Sequence, residues 1–248
     1  MIDVIRDIEE RCLNACPPMQ QVLCDGWVVR LADGYTRRAN SVSPIYPGHA
    51  DSETKIAVCE GLYRARGLRP VFKMTPLNQP PQLDAMLAAR GYAFEAMTIV
   101  ASLDLYQVVL PETGSVKVWA RPEKAWFDIY VQLKDLSDYE IGAFKNILDN
   151  LAVPARFVLL MDGNAPVAGG FAIHEGKIAG LFGLVTDVEK RNRGFGRLLT
   201  WTLLERVRKA GANMAYLQVE EDNSPARHIY ESMGFCEVYR YWYRTLES

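Results

Sequence analysis

The same order of secondary-structure signals occurs twice in this chain, once in each half. An amphipathic helix pattern, a glycine and a β-rich run are followed in both halves by a second helix, glycine and strand. The intervals between the two glycines, from Gly67 to Gly91 and from Gly211 to Gly234, differ by one residue. Three elements in one order with matched spacing favour a tandem duplication over chance recurrence.

The duplication predicts an α/β (α+β) chain made of two similar halves. A length of 248 residues is enough for two modest domains, each with its own core. The boundary is expected in VVLPETGS (108–115), whose proline and glycine suit a linker. The expected domains are residues 1–110 and residues 115–248.

Composition excludes several classes of partner. A net charge of −2 gives no general attraction to nucleic acid or to an anionic membrane, and no run approaches the roughly 20 apolar residues of a membrane span. The N-terminal segment is acidic, so a cytoplasmic location is expected. The five cysteines show no CxxC spacing, which favours buried free thiols over disulfides or a metal site.

The second half alternates between strand and helix patterns. SVKVWA (115–120) predicts a strand, and helical periodicity follows over 125–151. Residues 155–187 predict three antiparallel strands joined by turns at Gly163-Asn164 and Glu175-Gly176. The sheet of this half is therefore expected to be mixed but mostly antiparallel, with helices flanking it.

In the first half, DGWVVRLADGYTRRANSV (25–42) predicts a hairpin. Strand alternation would place Tyr35 and Arg37 on one face and Arg38 and Asn40 on the other. All four suit a solvated hairpin. If the two halves share a cleft, one of these arginines would hold a substrate carboxylate.

The segment KRNRGFGRLL (190–199) breaks a local rule. It opens a helix, where the unpaired N–H groups and the helix dipole favour acidic residues, yet it carries four cations and two glycines. The pattern GxxxxGK[ST] is absent, and a dinucleotide fingerprint would need glycine where Leu199 stands. A pyrophosphate bound to backbone N–H groups explains the cations, while a tight turn with solvated arginines is the alternative.

The wider context resembles the GNAT superfamily of acetyl-CoA-dependent N-acetyltransferases. A strand meander precedes Arg-x-x-Gly-x-Gly, and LQVEEDNSPARHIYESMGF follows in the form N-x-x-A-x-x-x-Y-E-x-x-G-F. The resemblance covers roughly residues 115–248 and implies a GNAT fold in tandem, with a degenerate first half.

The resemblance implies a role for each matching residue. The end of the fourth strand would pair with pantetheine, the glycine loop would hold the pyrophosphate, and Asn223 and Tyr230 would lie along pantetheine and near the thioester. The residues so implied to bind acetyl-CoA are Leu184, Val185, Thr186, Arg191, Asn192, Arg193, Gly194, Phe195, Gly196, Arg197, Asn223 and Tyr230.

Acetyl transfer to an amine requires an oxyanion donor, an acid and a base. A backbone N–H near Val185 or Thr186 suits the oxyanion. Tyr230 is the candidate acid for the departing thiolate, with packing on a helix face as its alternative role. Many relatives carry a glutamate on the fourth strand, but KIAGLFGLVT has no carboxylate. Glu220, Asp187 or a chain of waters remain as candidates for the base.

Two classes of function follow. The first is an N-acetyltransferase that uses acetyl-CoA as cosubstrate, needs no metal, and transfers acetyl directly to the primary amine of a small molecule or amino acid. A protein amine is an alternative acceptor, and a non-catalytic acyl-CoA-binding regulatory protein is the alternative class. Only one CoA is expected per chain, because RNRGFG aligns with PGHADS (47–52), Tyr230 with Leu87 and Asn223 with Pro80.

Overall fold

The computed structural model describes residues 1–111 and 116–247. The chain forms two units. Unit 1 comprises Met1–Ile99, Gly142–Leu151 and Val238–Ser248, and unit 2 comprises Val100–Ile141 and Ala152–Glu237. Residues 112–115 of the predicted linker lie outside the described residues, and the division into 1–110 and 115–248 stays a prediction.

Helices and strands follow one another in a mixed α/β order, as predicted. The α-helices of the described residues are α1 (Ile2–Ala15), α2 (Ser52–Arg64), α3 (Leu83–Ala89), α4 (Lys124–Lys134), α5 (Asp138–Asp149), α6 (Phe195–Lys209) and α7 (Ser224–Ser232). The strands are β1 (Gln20–Cys24), β2 (Trp27–Leu31), β3 (Val42–Ser43), β4 (Val71–Met74), β5 (Ala93–Asp104), β6 (Lys117–Trp119), β7 (Ala155–Asp162), β8 (Ala165–Glu175), β9 (Ile178–Thr186), β10 (Met214–Glu220) and β11 (Cys236–Thr245).

In unit 1 the strands lie in the order β1-β2-β3-β4-β11. All neighbours are antiparallel except β3 and β4, which are parallel. One face of this sheet is apolar: Trp27 of β2 and Phe72 of β4 cluster with Ile56 and Tyr63 of α2. Burial of this face against α2 and α3 forms the hydrophobic core of the unit.

The opposite face of the same sheet is buried but polar. Lys73 of β4 lies beneath Glu9 of α1, and its ammonium donates to both carboxylate oxygens at 2.6 and 2.8 Å. The Tyr239 hydroxyl donates to the same carboxylate. The Lys73 ammonium also lies 4.1 Å from the ring centroid of Tyr241. Burial is the largest single influence and lowers the pKa of Lys73, but attraction to Glu9 and smaller contributions from other neighbours together raise it.

In unit 2 the strands lie in the order β5-β10-β9-β8-β7-β6, and residues 100–104 are the part of β5 that belongs to this unit. Strands β6 to β9 are an antiparallel meander, as predicted, and β9 is parallel to β10. The ring of Trp126 in α4 stacks on Tyr130 and meets Phe157 and Phe171 edge-on. These aromatic contacts fix α4 on the sheet.

Two boundary predictions for the second half need correction. The periodicity over 125–151 belongs to two helices, α4 and α5, because Asp135 adopts a left-handed conformation (φ 53°) and ends α4. The turn between β8 and β9 is formed by Gly176 and Lys177, one residue later than predicted. The turn at Gly163-Asn164 is confirmed.

The predicted strand alternation over residues 35–40 is wrong, because this segment is a loop between β2 and β3. Thr36 has a φ of 44°, which a strand does not allow. The side-chain oxygen of Asn40 accepts hydrogen bonds from the N–H groups of Ala32 and Gly34. These bonds replace the strand ladder, so the predicted faces for Tyr35, Arg37, Arg38 and Asn40 do not exist.

All five cysteines are free thiols. Cys12 and Cys59 are buried, as predicted. Cys16 and Cys24 are half-buried and Cys236 is exposed, which corrects that expectation for these three. Among the described residues no helix has the length and apolarity to cross a bilayer.

We expect Glu9→Leu to lower the free energy of unfolding by about 3–5 kcal/mol, because it leaves the Lys73 ammonium buried without its counter-charge. Urea unfolding monitored by circular dichroism measures this loss. The double variant Glu9→Leu/Lys73→Met should cost less than Glu9→Leu alone, since it removes both charges. Equal losses in the two variants would show that the pair is not coupled.

Candidate active site

The candidate site begins where β9 and β10 part. The two strands pair from Ile178 with Met214 to Leu181 with Leu217, and beyond that point they diverge. Residues 183–186 of β9 are half-buried, whereas residues 179–182 are buried. Backbone groups on this open edge of β9 have no strand partner, so they are available to an extended ligand.

A β-bulge marks the same point on the other edge of β9. Gly169 pairs with Val185 and Phe171 with Phe182, so two residues of β9, Gly183 and Leu184, oppose a single residue of β8. Gly183 has a φ of 62°, a conformation that favours glycine. The sequence analysis missed this bulge, although a glycine inside a strand pattern is its usual signal.

Tyr130 of α4 secures the bulge. Its hydroxyl donates to the Gly183 carbonyl oxygen at 2.8 Å. A Cβ atom at Gly183 would clash with the same hydroxyl. The bulge therefore depends on both a glycine in β9 and a tyrosine from a separate helix.

The loop from β9 to α6 brings several backbone N–H groups to one end of α6. It contains a 3-10 helix (Val188–Lys190), then Asn192 with φ 62° and Gly194 with φ 84°. Gly194 is the N-cap of α6 and offers no side-chain acceptor. The first bond at this end of α6 runs from Leu198 N–H to Gly194, so the N–H groups of residues 195–197 have no acceptor within the helix.

The four cations near this helix end differ in their partners. Lys190 lies 3.5 Å from the exposed carboxylate of Asp162, and Arg197 donates to the Ser232 hydroxyl at 2.8 Å. Arg191 and Arg193 are exposed and have no ion pair within the described part of the chain. Two uncompensated cations beside an open helix N-terminus are suited to an anion, and the pyrophosphate site at this motif stays a prediction.

Gly194 and Gly196 differ in what limits a side chain at each position. Gly194 needs its left-handed φ, although a Cβ there would meet nothing within 4 Å. At Gly196 a Cβ would only touch Thr186 Oγ1 at 3.5 Å and Ile229 Cδ1 at 3.6 Å, which are ordinary contacts. The protein itself would therefore accommodate a Cβ atom at Gly196.

Helix α7 carries the next two candidates. Asn223 is its N-cap and accepts a hydrogen bond from the Ala226 N–H at 3.2 Å, so Asn223 rather than Ser224 caps the helix. Pro225 is the second residue of α7, where a missing backbone N–H is tolerated. Capping uses the side-chain oxygen of Asn223 and leaves its amide N–H groups available.

Tyr230 is half-buried on α7, with its ring 5.9 Å from Phe235 in an edge-to-face arrangement. Burial raises the pKa of Tyr230 to about 12. Within the described residues its hydroxyl has no hydrogen-bond partner. A protonated phenol without a partner is a suitable donor to an outgoing group.

The two candidate bases are placed differently. Asp187 accepts a hydrogen bond from the Glu189 N–H at 2.9 Å and caps the 3-10 helix. Glu220 is exposed at the end of β10, where that strand has parted from β9. Glu220 is therefore the better placed of the two carboxylates, since Asp187 already serves a structural role.

Comparison with known families identifies the family of this chain. A family model described as "Probable histone acetyltransferase Rv0428c C-terminal" matches residues 3–244. The chain belongs to this family of GNAT acetyltransferases. The resemblance to GNAT enzymes noted in the sequence is thus confirmed.

Relatives of this chain include N-acetyltransferases. "Uncharacterized N-acetyltransferase YobR" of Bacillus subtilis is 26% identical and covers 98% of this chain and 99% of its own. A mycothiol acetyltransferase of Thermomonospora curvata is 35% identical over 53% of this chain and 47% of its own. A [ribosomal protein bS18]-alanine N-acetyltransferase of Escherichia coli is 34% identical, over 28% of this chain and 49% of its own.

Solved structures share the fold over the whole chain. A GCN5-related N-acetyltransferase from Kribbella flavida superposes with a TM-score of 0.73 at 17% identity, covering 98% of this chain and 95% of its own. A tandem GNAT protein from the clavulanic acid biosynthesis pathway gives a TM-score of 0.64 at 15% identity, covering 97% and 87%. The predicted GNAT fold is therefore confirmed.

We expect Gly183→Ala to destabilise the protein more than Gly176→Ala does. Both glycines have a φ of 62°, so each substitution carries the backbone cost of about 1–2 kcal/mol. Only Gly183 adds a clash with Tyr130, worth about 1–3 kcal/mol more. Urea unfolding of the two variants measures the difference, and equal losses would remove Tyr130 from its role at the bulge.

Proposed function

We propose that this acetyltransferase transfers the acetyl group of acetyl-CoA directly to a primary amine of a small molecule or amino acid. The observation that carries the proposal is the open edge of β9 ending beside the uncapped N-terminus of α6. A Cβ at Gly196 would lie 3.5 Å from Thr186, so the two features adjoin. An extended thioester with a pyrophosphate at its far end fits that arrangement.

Each part of the site has a role in holding acetyl-CoA. The N–H groups of residues 192–197, with Arg191 and Arg193, would bind the pyrophosphate. Leu184, Val185 and Thr186 would pair with the pantetheine amides through their backbone. The amide of Asn223 and the phenol of Tyr230 would lie along pantetheine. The stretches that form this site contain no cysteine, which favours direct transfer in a ternary complex over an acetyl-thiol intermediate on the protein.

The reaction moves charge and protons in three places. The amine nitrogen attacks the thioester carbonyl, and a backbone N–H at Val185 or Thr186 would stabilise the oxygen as it becomes negative, an effect typically worth about 3 kcal/mol. Tyr230 would give its proton to the departing thiolate. Glu220, directly or through a water, would accept the proton that the amine loses.

In unit 1 the start of α2 corresponds in the sequence alignment to the start of α6. Its N–H groups, and those just before it, are bound by two carboxylates of unit 1. Asp25 accepts hydrogen bonds at 2.8 Å from the N–H groups of His49 and Ala50, and these bonds, before other causes, lower the pKa of Asp25. Asp51 caps α2 by accepting from the Thr54 N–H at 2.9 Å. These carboxylates bind N–H groups at and just before the start of α2, which supports a single CoA site in unit 2.

The acceptor is tested by turnover. Thiol release from acetyl-CoA is measured with a panel of amino acids, simple amines and peptides bearing a free N-terminus or lysine. Preference for the small molecules supports the proposal. Preference for peptides would favour the protein acceptor suggested by the family description and by the bS18-alanine relative. CoA binding without turnover on any amine would leave the non-catalytic alternative.

We expect calorimetry to show one equivalent of CoA bound per chain and none in Gly196→Val, because the added side chain fills the space beside the helix end. Ser52→Val is the matched control, since Ser52 aligns with Gly196 in unit 1 and should leave binding unchanged. A thermal melt confirms that both variants fold. A second equivalent that survives Gly196→Val would place a CoA site elsewhere.

We expect Tyr230→Phe to lower kcat by about 10²-fold with little change in CoA affinity, because the variant lacks the proton donor. Since the pKa of Tyr230 is raised to about 12, the phenol remains protonated as pH rises through the neutral and mildly alkaline range. Tyr230→Phe should therefore lower kcat by the same factor at every pH from 7 to 10. Tyr106→Phe, at an exposed tyrosine, is the control and should leave kcat unchanged. Wild-type turnover in Tyr230→Phe would show that Tyr230 only packs against its neighbours.

A further inference from the structure

The peptide that joins Gly183 to Leu184 is turned out of the plane of the sheet. A peptide in a regular strand directs its carbonyl group at a neighbouring strand. The Gly183 carbonyl instead accepts the hydroxyl of Tyr130 at 2.8 Å, and Tyr130 belongs to α4, which packs on a face of the sheet. The β-bulge and the φ of 62° at Gly183 allow this orientation.

Helices α4 and α6 cover opposite faces of this sheet. Gly169 and Gly170 are consecutive residues of β8, so their Cβ positions point to opposite faces. A Cβ atom at Gly169 would lie 3.2 Å from the ring of Tyr130 in α4. A Cβ atom at Gly170 would lie 3.5 Å from Leu199 in α6. The hydroxyl of Tyr130 therefore reaches β9 from the face that α6 does not cover.

The direction of the Gly183 carbonyl fixes the direction of the next N–H group. The C=O and N–H of one trans peptide point in opposite directions. Because the Gly183 carbonyl points toward α4, the Leu184 N–H points toward the face on which α6 packs. The uncapped N-terminus of α6 adjoins the end of β9 on that face, since a Cβ atom at Gly196 would lie 3.5 Å from Thr186.

Tyr130 is held rigidly by its neighbours. It is 2% exposed, and its ring stacks on Trp126 with a centroid distance of 4.4 Å and an interplanar angle of 17°. The indole of Trp126 is fixed in turn, because it is fully buried and donates to the Val158 carbonyl at 3.1 Å. This packing keeps the hydroxyl of Tyr130 at the Gly183 carbonyl.

We propose that Tyr130 is a positioning residue for acetyl transfer, whose hydroxyl fixes the peptide after Gly183 so that the Leu184 N–H faces the thioester carbonyl of acetyl-CoA. This inference rests on the proposed function and adds a donor to the N–H of Val185 or Thr186. A hydrogen bond to an amide carbonyl also polarises the amide and strengthens its N–H as a donor. A donor aimed in advance needs no reorganisation when the thioester oxygen becomes negative.

Tyr130→Phe isolates the hydroxyl, because the ring that packs against Trp126 is kept. Tyr63→Phe is the matched control. The hydroxyl of Tyr63 donates to the Arg30 carbonyl, also at 2.8 Å, in the core of unit 1. Each variant loses one bond from a buried tyrosine to a strand carbonyl, but only Tyr130 bonds to β9. A loss of stability alone would therefore affect both variants.

The first measurement requires no acceptor amine. Isotope-edited infrared spectroscopy records the carbonyl stretch of acetyl-CoA labelled with carbon-13 at the thioester, free and bound to the protein. Hydrogen bonding weakens the carbonyl bond, so the bound group should absorb at a lower wavenumber in the wild-type protein. Tyr130→Phe should lose part of that shift, and Tyr63→Phe should keep it.

The second measurement is turnover with the amine that the wild-type protein uses best. Tyr130→Phe should lower kcat about tenfold, which is less than the roughly 10²–10³-fold cost of removing a whole oxyanion donor. The KM for acetyl-CoA should change by less than about twofold, because the peptide is weakened as a donor to the developing charge rather than removed. Tyr63→Phe should leave kcat unchanged.

A wild-type carbonyl shift and a wild-type kcat in folded Tyr130→Phe would overturn this inference alone. Absence of acetyl-CoA binding to the wild-type protein would overturn the proposed function together with it. A carbonyl shift that depends on Tyr130, without turnover of any amine, would support the orientation of the peptide and overturn the proposed transfer.

Thermal melts show whether each variant folds. If Tyr130→Phe does not fold, a fluorinated tyrosine at position 130 keeps both the ring and the hydroxyl and makes the hydroxyl a stronger donor. That replacement should enlarge the carbonyl shift of bound acetyl-CoA, and an unchanged shift would overturn the positioning role.

Discussion

The separation of β9 from β10 after Leu181 is the constraint on which the candidate site depends. A parallel strand pair normally satisfies its backbone groups by mutual hydrogen bonding, so two strands that part inside a protein leave polar groups that need another partner. Tyr130 holds the opposite edge of β9 at the Gly183 bulge. The strand is thus fixed on one side and open on the other, which is the geometry that a linear amide-containing ligand requires.

The glycine pattern made much of the fold predictable. Gly67, Gly91, Gly211 and Gly234 all have positive φ values and end or follow helices, which is why helix, glycine and strand were identified correctly in both halves. The candidate anion motif could also be identified from the sequence. Cations at a helix N-terminus are opposed by the helix dipole and therefore indicate a nearby anion. Helix α1 is absent from the predicted elements, although its buried residues Ile5, Ile8, Cys12 and Ala15 follow helical spacing.

Other features depend on contacts that a linear pattern does not contain. The loop over residues 32–41 reads as a strand in sequence, but the side chain of Asn40 and the guanidinium of Arg30 bind its backbone and impose another path. The bulge at Gly183 requires a hydroxyl from a helix more than 50 residues earlier. Asn223 is a similar case. Its side-chain oxygen caps α7 and its amide N–H groups remain available to a ligand, so the two roles are compatible. The sequence alone does not tell which of the two roles explains the residue.

The carboxylates at the start of α2 have a consequence for the energetics of the two units. In unit 1, Asp25 and Asp51 supply the counter-charge at the helix end from within the chain, so that end is complete at any concentration of CoA. Within the described part of the chain, the N-terminus of α6 has no such capping carboxylate. Any ligand that binds there adds RT ln(1 + [L]/Kd) to the stability of the folded state, about 2.7 kcal/mol at a hundredfold excess over Kd. The resistance of unit 2 to unfolding and proteolysis would then increase with the cellular concentration of acetyl-CoA. The stability of the α2 N-terminus in unit 1 would not depend on that concentration.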